Sequence, residues 1–179
     1  LSVFIGDSRK KRRVSPMPPV ISGGALVIPA GLLRQLCGTP DPFGSGDRRA
    51  VDRAAMNAVM EIERSLGYEP RDVSMEKRGY DIESYIPEAM RQGANDRHLR
   101  FIEVKGRRKG AETVTVTRNE VLAALNAEES FILAIVEVDG SRTHTVYLKR
   151  PFDNRLDFAA TSANYSIRDL ISHAEILSL

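Results

Sequence analysis

The sequence predicts an α/β fold in which a mixed central sheet is flanked by helices. An amphipathic helix near residues 47–66 is followed by short apolar strands, and a second helix precedes a strongly apolar strand at 131–138. Helices interspersed with buried strands pack on the faces of one sheet. The predicted order of the core is therefore helix, three strands, helix, strand, in one domain spanning residues 47–179.

Composition excludes several protein classes. The chain has 179 residues, of which 42% are hydrophobic and 28% are charged, as in ordinary soluble globular proteins. No apolar run approaches the roughly 18 residues of a membrane span, and no signal-peptide pattern is present, so we expect no membrane partner. The single cysteine, Cys37, offers neither a disulfide framework nor a zinc cluster and fits a cytoplasmic protein. Because the chain begins with Leu1 rather than Met, we expect it to be part of a longer polypeptide.

Residues 1–46 are predicted to form a linker that packs on the domain behind it. They contain many prolines and glycines and a basic run at residues 8–13, with room for a short strand at 25–28 and a short helix at 31–36. No residue of this segment suggests a chemical role.

The first helix is predicted over residues 47–66, ending at Gly67. Apolar residues recur at spacings of three and four, and Ile62 is taken as the centre of that face. Glu61 and Glu63 then lie about 100° to either side of it. Either carboxylate could reach a site on the sheet, and either could instead be a surface group that pairs with a neighbouring arginine or with solvent.

Strands are predicted at residues 73–75, 80–86 and 99–106, with a polar loop at 88–98 overhanging the site. Glu103 and Lys105 lie two positions apart on the third strand, which is apolar on both faces, so they share one face of a buried strand. A buried carboxylate and ammonium are costly unless they pair or bind something. Asp81 on the neighbouring strand could reach the same point, and oxygen ligands of this kind suit a divalent cation beside a phosphodiester. The three histidines are isolated in sequence, so no histidine metal site is expected.

The second half of the chain continues the α/β pattern. A β-branched strand at 113–116 leads into a helix through Asn126, and Thr117 with Glu120 has the form of a capping box. After the strand at 131–138, the turn at Asp139-Gly140 predicts a hairpin with residues 143–148. Residues 151–165 are predicted to be irregular, and a final helix is predicted to end near Leu177.

At Asp81 and Glu103-Val104-Lys105 the sequence resembles the PD-(D/E)XK nuclease superfamily, with Tyr80-Asp81 in place of the usual Pro-Asp. A longer match resembles the NO VEIN C-terminal domain, a nuclease-like module found at the C-terminal end of Swi/Snf-type helicases, including some of bacterial antiphage defence. This similarity covers roughly residues 47–170 and rests on residues 55–64, 72–74, 79–82, 102–107 and 117–120. Residues 23–29 resemble the connector that precedes this domain in such helicases.

The resemblance implies a PD-(D/E)XK nuclease-like core that hydrolyses nucleic-acid phosphodiesters, attached to the helicase region of the same polypeptide. Asp81, Glu103 and the backbone carbonyl of Val104 would hold Mg²⁺ or Mn²⁺, while Lys105 orients the attacking water. The resemblance favours Glu63 as the helical carboxylate that completes the metal shell. The expected partner is DNA, and the expected location is the cytoplasm.

Basic residues cluster beside the predicted site. Between Arg100 and Arg118 six basic residues stand against two acidic ones, although the net charge of the chain is only +2. A phosphate backbone would lie there, and the expected contacts are Arg107, Arg108, Lys109, Arg118 and Asn119. Residues 107–110 could equally be a solvated turn, and the capping box explains Thr117 and Glu120 structurally.

Two other classes of function stay open on the sequence. The domain could be a catalytically inactive nucleic-acid-binding or docking module in which the three charges form a structural network. It could also be a scaffold that contacts other defence proteins. Nucleic-acid binding that is sensitive to salt but unaffected by Mg²⁺ would favour the binding module. The absence of nucleic-acid affinity would favour the scaffold.

Overall fold

The computed structural model describes residues 45–91, 98–157 and 159–178. All of them belong to one compact unit, Phe43–Leu179. The strand and helix predicted within residues 25–36 lie outside the described residues, as does the predicted linker up to residue 44.

Helix α1 spans Ser45–Ser65, close to the predicted range. Gly67 ends it in the left-handed region, with φ of 82°. The N–H of Gly67 donates to the carbonyl of Arg64, and the N–H of Tyr68 donates to that of Glu63. These two bonds satisfy the last carbonyls of the helix and require a glycine at the turn.

The buried row of α1 runs through Ala55, Val59 and Glu63, which are all fully buried. Residues four apart lie above one another on a helix, so these three side chains point in one direction, toward the sheet. Ile62 is only half-buried. The prediction that Ile62 is the centre of the buried face is therefore wrong, and the face is rotated toward Glu63.

The main sheet has six strands: β1 (Glu69–Asp72), β2 (Ile82–Tyr85), β3 (Leu99–Arg108), β5 (Phe131–Asp139), β6 (Arg142–Lys149) and β8 (Glu175–Leu177). They lie in this order across the sheet. Strands β3 and β5 are parallel, and the other neighbouring pairs are antiparallel, which confirms a mixed central sheet. The β5–β6 hairpin closes at Asp139 and Arg142, as predicted from the turn.

Two strands form a separate small sheet, β4 (Thr113–Thr117) and β7 (Ser162–Ser166), paired antiparallel. Helix α2 (Arg118–Asn126) follows β4, and helix α3 (Ile167–His173) follows β7. The capping box at the start of α2 is confirmed, with Thr117 and Glu120 exchanging both bonds.

The main sheet separates two apolar clusters. On one face α1 packs through Ala55 and Val59 against residues such as Ile102 and Val136. On the other face α2, α3 and the small sheet pack against residues such as Phe131 and Leu133. Strand β5 contributes alternate residues to both clusters and is buried from residue 131 to 136, as its apolar run predicted.

Three predicted elements differ from the structure. Residues 73–75 do not form a strand, because the Asp72 carboxylate accepts bonds from the N–H and hydroxyl of Ser74 and starts a turn there. The irregular segment contains β7, which pairs with β4. The last helix stops at His173, since Ala174 is extended, and Glu175–Leu177 joins the edge of the sheet instead.

Two glycines allow close approaches that position the site. A Cβ on Gly106 of β3 would lie 3.0 Å from Ala55 Cβ and 3.1 Å from the Val51 carbonyl oxygen, so α1 packs directly on the strand backbone. A Cβ on Gly79 would lie 2.7 Å from the Asn119 carbonyl oxygen. The turn before β2 is thereby held against the first residues of α2.

No helix in the described part of the chain is both long and apolar enough to cross a bilayer.

Candidate functional site

Strand β3 presents its charged pair to the α2 side of the sheet. Successive side chains of a strand point to opposite faces. Ile102 packs in the cluster beneath α1, whereas Phe101 packs with the cluster beneath α2. Glu103 and Lys105 follow the phase of Phe101, so they share one face, as the alternation predicted.

Lys105 is held between two carboxylates. Its Nζ lies 2.6 Å from Glu103 Oε1 and 2.6 Å from Glu120 Oε2. The side chains are only 13% (Lys105), 6% (Glu103) and 14% (Glu120) exposed. The sequence did not predict the contact between Lys105 and Glu120, because the capping box already explained Glu120 structurally.

Asp81 lies next to this pair, at the bend that leads into β2. Its N–H donates to the Ile102 carbonyl at 2.9 Å, and its Oδ2 accepts from the Val104 N–H at 3.0 Å. The ladder between β2 and β3 ends at Ile82 and Ile102, so on that side of β3 the Val104 N–H meets the Asp81 side chain instead of a β2 residue. Tyr80, the residue before Asp81, packs on Phe101 with ring centroids 4.8 Å apart.

The site carries more carboxylates than ammonium groups. Burial raises the pKa of Glu103 to about 8, opposed by Lys105 and reinforced by Asp81 and Glu120. Burial also raises the pKa of Asp81, while the Val104 N–H and Lys105 oppose that rise. Burial lowers the pKa of Lys105, but the two carboxylates outweigh it and leave the pKa above its ordinary value. A cation at this point would relieve the repulsion among the carboxylates.

A cavity of about 480 Å³ opens beside these groups. Asp81, Glu103 and Lys105 line it together with Val104. The remaining lining residues come from α1, from the end of β1 and the turn after it, and from the end of β3: Asp52, Arg53, Met56, Asp72, Ser74, Gly106 and Arg107.

Neither Asp52 nor Asp72 was predicted as a site residue, although residues 72–74 are part of the family resemblance. Asp52 lies on α1 near the point where the helix touches Gly106, and its charge acts on Arg107. A glycine inside a strand of bulky residues was the available signal, because it marks a close approach of another backbone. That approach brings the first half of α1 to the cavity.

Glu63 lies elsewhere, which corrects its predicted place. It faces the same side of the sheet as Arg100, with Arg100 Nη2 3.4 Å from Glu63 Oε1. Neither Glu63 nor the exposed Glu61 lines the cavity, whereas Asp52 of the same helix does. The physical reason is the rotation of α1, which directs Glu63 into the core beneath the sheet.

The donor chemistry of the cavity fits a hard divalent cation, since Asp81, Glu103, Asp52 and Asp72 all offer carboxylate oxygens. Among the described residues no three His, Cys, Asp or Glu side chains are already grouped to hold a metal ion. Lys105 Nζ sits where Glu103 and Glu120 approach each other. The structure thus has suitable ligands at one cavity without a closed coordination shell.

The predicted nucleic-acid contacts fall in three places. Arg107 lines the site cavity, and its guanidinium donates to the Thr113 carbonyl at 3.2 Å and the Gly106 carbonyl at 2.6 Å. Arg108 and Lys109 line a neighbouring cavity of about 780 Å³ on the other side of the first turns of α1. Arg118 and Asn119 begin α2, and Arg118 Nη2 donates to the Asp157 carbonyl at 2.7 Å.

This fold and site define a class of protein: a mixed α/β domain with Asp81 at the bend before β2, and Glu103 and Lys105 two residues apart on the neighbouring strand β3. Residues 51–148 match the model of the family described as "Protein NO VEIN, C-terminal". The chain belongs to this family, which confirms the resemblance seen in the sequence. Neither the curated proteins nor the solved structures gave a match.

Proposed function

We propose that this domain is a metal-dependent nuclease that hydrolyses phosphodiester bonds of nucleic acid, with DNA as its expected substrate. The observation that carries the proposal is that Asp81, Glu103 and Lys105 border one cavity, with Lys105 Nζ 2.6 Å from Glu103 Oε1. Two carboxylates and an ammonium at an open cavity can serve a metal ion and a phosphate at once.

Asp81 and Glu103 would hold Mg²⁺ or Mn²⁺, together with the backbone carbonyl of Val104. Asp52 replaces Glu63 as the helical carboxylate of this proposal, because it lines the cavity and Glu63 does not. The bound ion would lower the pKa of a water molecule and neutralise charge on the phosphate.

The side chains of the chain itself have separate tasks in this proposal. Asp81 is oriented by the Val104 N–H, so its second oxygen is available to the cavity. Glu103 has to give up its proton when a cation binds, since burial and its acidic neighbours raise its pKa to about 8. Lys105 stays protonated and orients the attacking water or contacts a phosphate oxygen.

The basic residues around the first turns of α1 support a nucleic-acid path. Arg107 lines the site cavity, while Arg108 and Lys109 line the adjacent one. Lys109 pairs with Asp139 at 2.7 Å, but both are more than half exposed, and such pairs are weak enough to exchange for phosphate. Arg118 and Asn119 would contact the nucleic acid near the turn that carries Asp81. The domain would act for a helicase region of the same polypeptide, in a cytoplasmic DNA-processing or antiphage defence protein.

The first test is cleavage of labelled single- and double-stranded DNA and RNA in Mg²⁺ or Mn²⁺, with an EDTA control. We expect Lys105→Ala to abolish the metal-dependent cleavage. Lys149→Ala is the matched control, because Lys149 is also a largely buried strand lysine, 3.5 Å from Glu129, outside the cavity. Cleavage that survives Lys105→Ala, or that is lost equally in Lys149→Ala, would contradict the proposal.

A second candidate function is that of a non-catalytic nucleic-acid-binding module. The favouring observation is that both carboxylates already satisfy Lys105, as in a structural ion network. Binding that falls with salt but is the same in EDTA and Mg²⁺, without cleavage, would identify this function.

A further inference from the structure

Helix α2 contributes one acidic side chain to the site. We propose that Glu120 is a positioning residue that holds the Lys105 ammonium at the cavity, an inference that rests on the proposed nuclease function. Glu120 Oε2 lies 2.6 Å from Lys105 Nζ, and Glu103 Oε1 lies at the same distance from it.

A lysine needs more than one anchor to hold a defined position. Its side chain is long and flexible and loses conformational entropy when it is ordered. Glu103 belongs to the same strand as Lys105, two residues away, so their pair fixes the ammonium only relative to β3. Glu120 belongs to α2 and fixes it in a second direction. Lys105 and Glu120 are both largely buried, so solvent screens their attraction only partly.

Glu120 is itself held in place by the first turn of α2. Its Oε2 accepts from the Thr117 N–H at 3.0 Å, and its own N–H donates to Thr117 Oγ1 at 3.4 Å. The next residue back, Asn119, touches the Gly79 turn that leads to Asp81. The same helix end therefore contacts the lysine and the element that carries the metal-binding aspartate.

The two contacts of Glu120 make different chemical demands. A capping box needs an oxygen acceptor at this position, and glutamine serves that purpose as well as glutamate. The contact with Lys105 needs the negative charge, since an amide oxygen holds an ammonium much more weakly. Glu120→Gln thus weakens the anchor and keeps the cap, whereas Thr117→Ala removes one bond of the cap and keeps the anchor.

The experiment compares these two variants with the wild-type chain in three measurements. These are the thermal midpoint, the kcat and KM of metal-dependent cleavage, and the rate at which an amine-reactive ester labels Lys105, followed by mass spectrometry. For Glu120→Gln we expect a midpoint near that of the wild type, a kcat at least tenfold lower with little change in KM, and labelling several times faster. For Thr117→Ala we expect a lower midpoint, with kcat and Lys105 labelling unchanged well below that midpoint.

Labelling separates this inference from the proposed function, because it requires no catalysis. Faster labelling in Glu120→Gln alone supports the positioning role even if no substrate is cleaved, an outcome in which only the nuclease proposal fails. Unchanged Lys105 labelling and unchanged kcat in Glu120→Gln would overturn the inference and leave Glu120 with its capping role. Equal changes in both variants would also overturn it, because loosening of the first turn of α2 would then be sufficient to explain them.

Discussion

Arg100 and Glu63 form a buried ion pair on the α1 face of β3, with Arg100 Nη2 3.4 Å from Glu63 Oε1. The guanidinium lies over the rings of Tyr68 and Tyr147, 5.0 Å and 5.5 Å from their centroids. Ser84 is paired in register with Arg100 on the neighbouring strand. Within the described residues, the buried side-chain atoms without a hydrogen bond all belong to this cluster: both Glu63 oxygens, Ser84 Oγ, Arg100 Nε and the Tyr147 hydroxyl.

We predict that this pair matters for stability and not for the metal site. Glu63→Gln leaves the Arg100 charge buried without a partner, and should lower the free energy of unfolding by about 3–5 kcal/mol. The double change Glu63→Leu with Arg100→Met should recover much of that loss, because it removes both charges. Urea unfolding measures both effects. A variant Glu63→Gln with normal stability and a tenfold weaker affinity for Mn²⁺ would contradict the placement of Glu63.

The Asp81 carboxylate should be needed for its charge and not for its hydrogen bond. Asp81→Asn keeps an oxygen that can accept from the Val104 N–H, so the thermal midpoint should change little. Cleavage should fall by at least about 100-fold. Residues that only hydrogen-bond to a metal ligand cost up to about 100-fold in activity, and loss of a ligand itself should cost no less. Glu83→Gln is the control, since Glu83 is a largely buried carboxylate of β2 that pairs with Arg71 and Arg78 outside the cavity. Equal cleavage by Asp81→Asn and the wild type would exclude Asp81 as a ligand.

The raised pKa of Glu103 predicts a loss of stability with rising pH. The folded chain holds this proton up to about pH 8, whereas an ordinary Glu loses it near 4.5. The stabilising contribution is therefore complete below about pH 4.5 and disappears as the pH approaches 8. The raised pKa of Asp81 acts with the same sign. Without divalent cations, the free energy of unfolding should fall across this range, and it should fall less steeply in Glu103→Gln.

Binding of a divalent cation should remove the proton from the Glu103 carboxyl group. Metal ligands bind in their ionised form, so binding of Mn²⁺ near neutral pH should release a proton. Calorimetric titration in two buffers of different ionisation enthalpy measures that proton directly. The release should disappear in Glu103→Gln, and an equal release in that variant would assign the proton to another group.

Asp52 should contribute to metal binding, in contrast to the other carboxylates of α1. Asp52→Asn removes a charge from the cavity lining and should weaken Mn²⁺ binding several-fold, together with metal-dependent cleavage. Glu61→Gln removes the same charge from a position of the same helix that does not line the cavity and should change neither. Titration of the two variants with Mn²⁺ compares them at matched net charge. Identical affinities would exclude a role for Asp52.

Local signals in the sequence predicted the elements that depend on neighbouring residues alone. The alternation of β3 placed Glu103 and Lys105 on one face, because that period is intrinsic to a strand. The capping box and the Asp139-Gly140 turn were predicted for the same reason. The position of Asp81 beside that pair followed from strand adjacency, and the contact with Val104 is consistent with it.

The remaining elements depend on residues far apart in the chain. The phase of α1 could not be read from its broad apolar face, and Glu63 is tolerated in the core only because Arg100 lies beneath it. The polar strand β7 exists through its pairing with β4, about fifty residues earlier. The second role of Glu120 required the contact between α2 and β3 to be known.

The contact of Gly106 with α1 has a geometric consequence for the cavity. Asp52 stands on the helix and Lys105 on the strand, and the distance between these two walls is set where Ala55 and the Val51 carbonyl rest on Gly106. One added methyl group at Gly106 would push the walls apart without altering any charge. On the proposed function, the fit of a cation beside them would thus depend on the smallest residue of the strand as well as on the acidic groups.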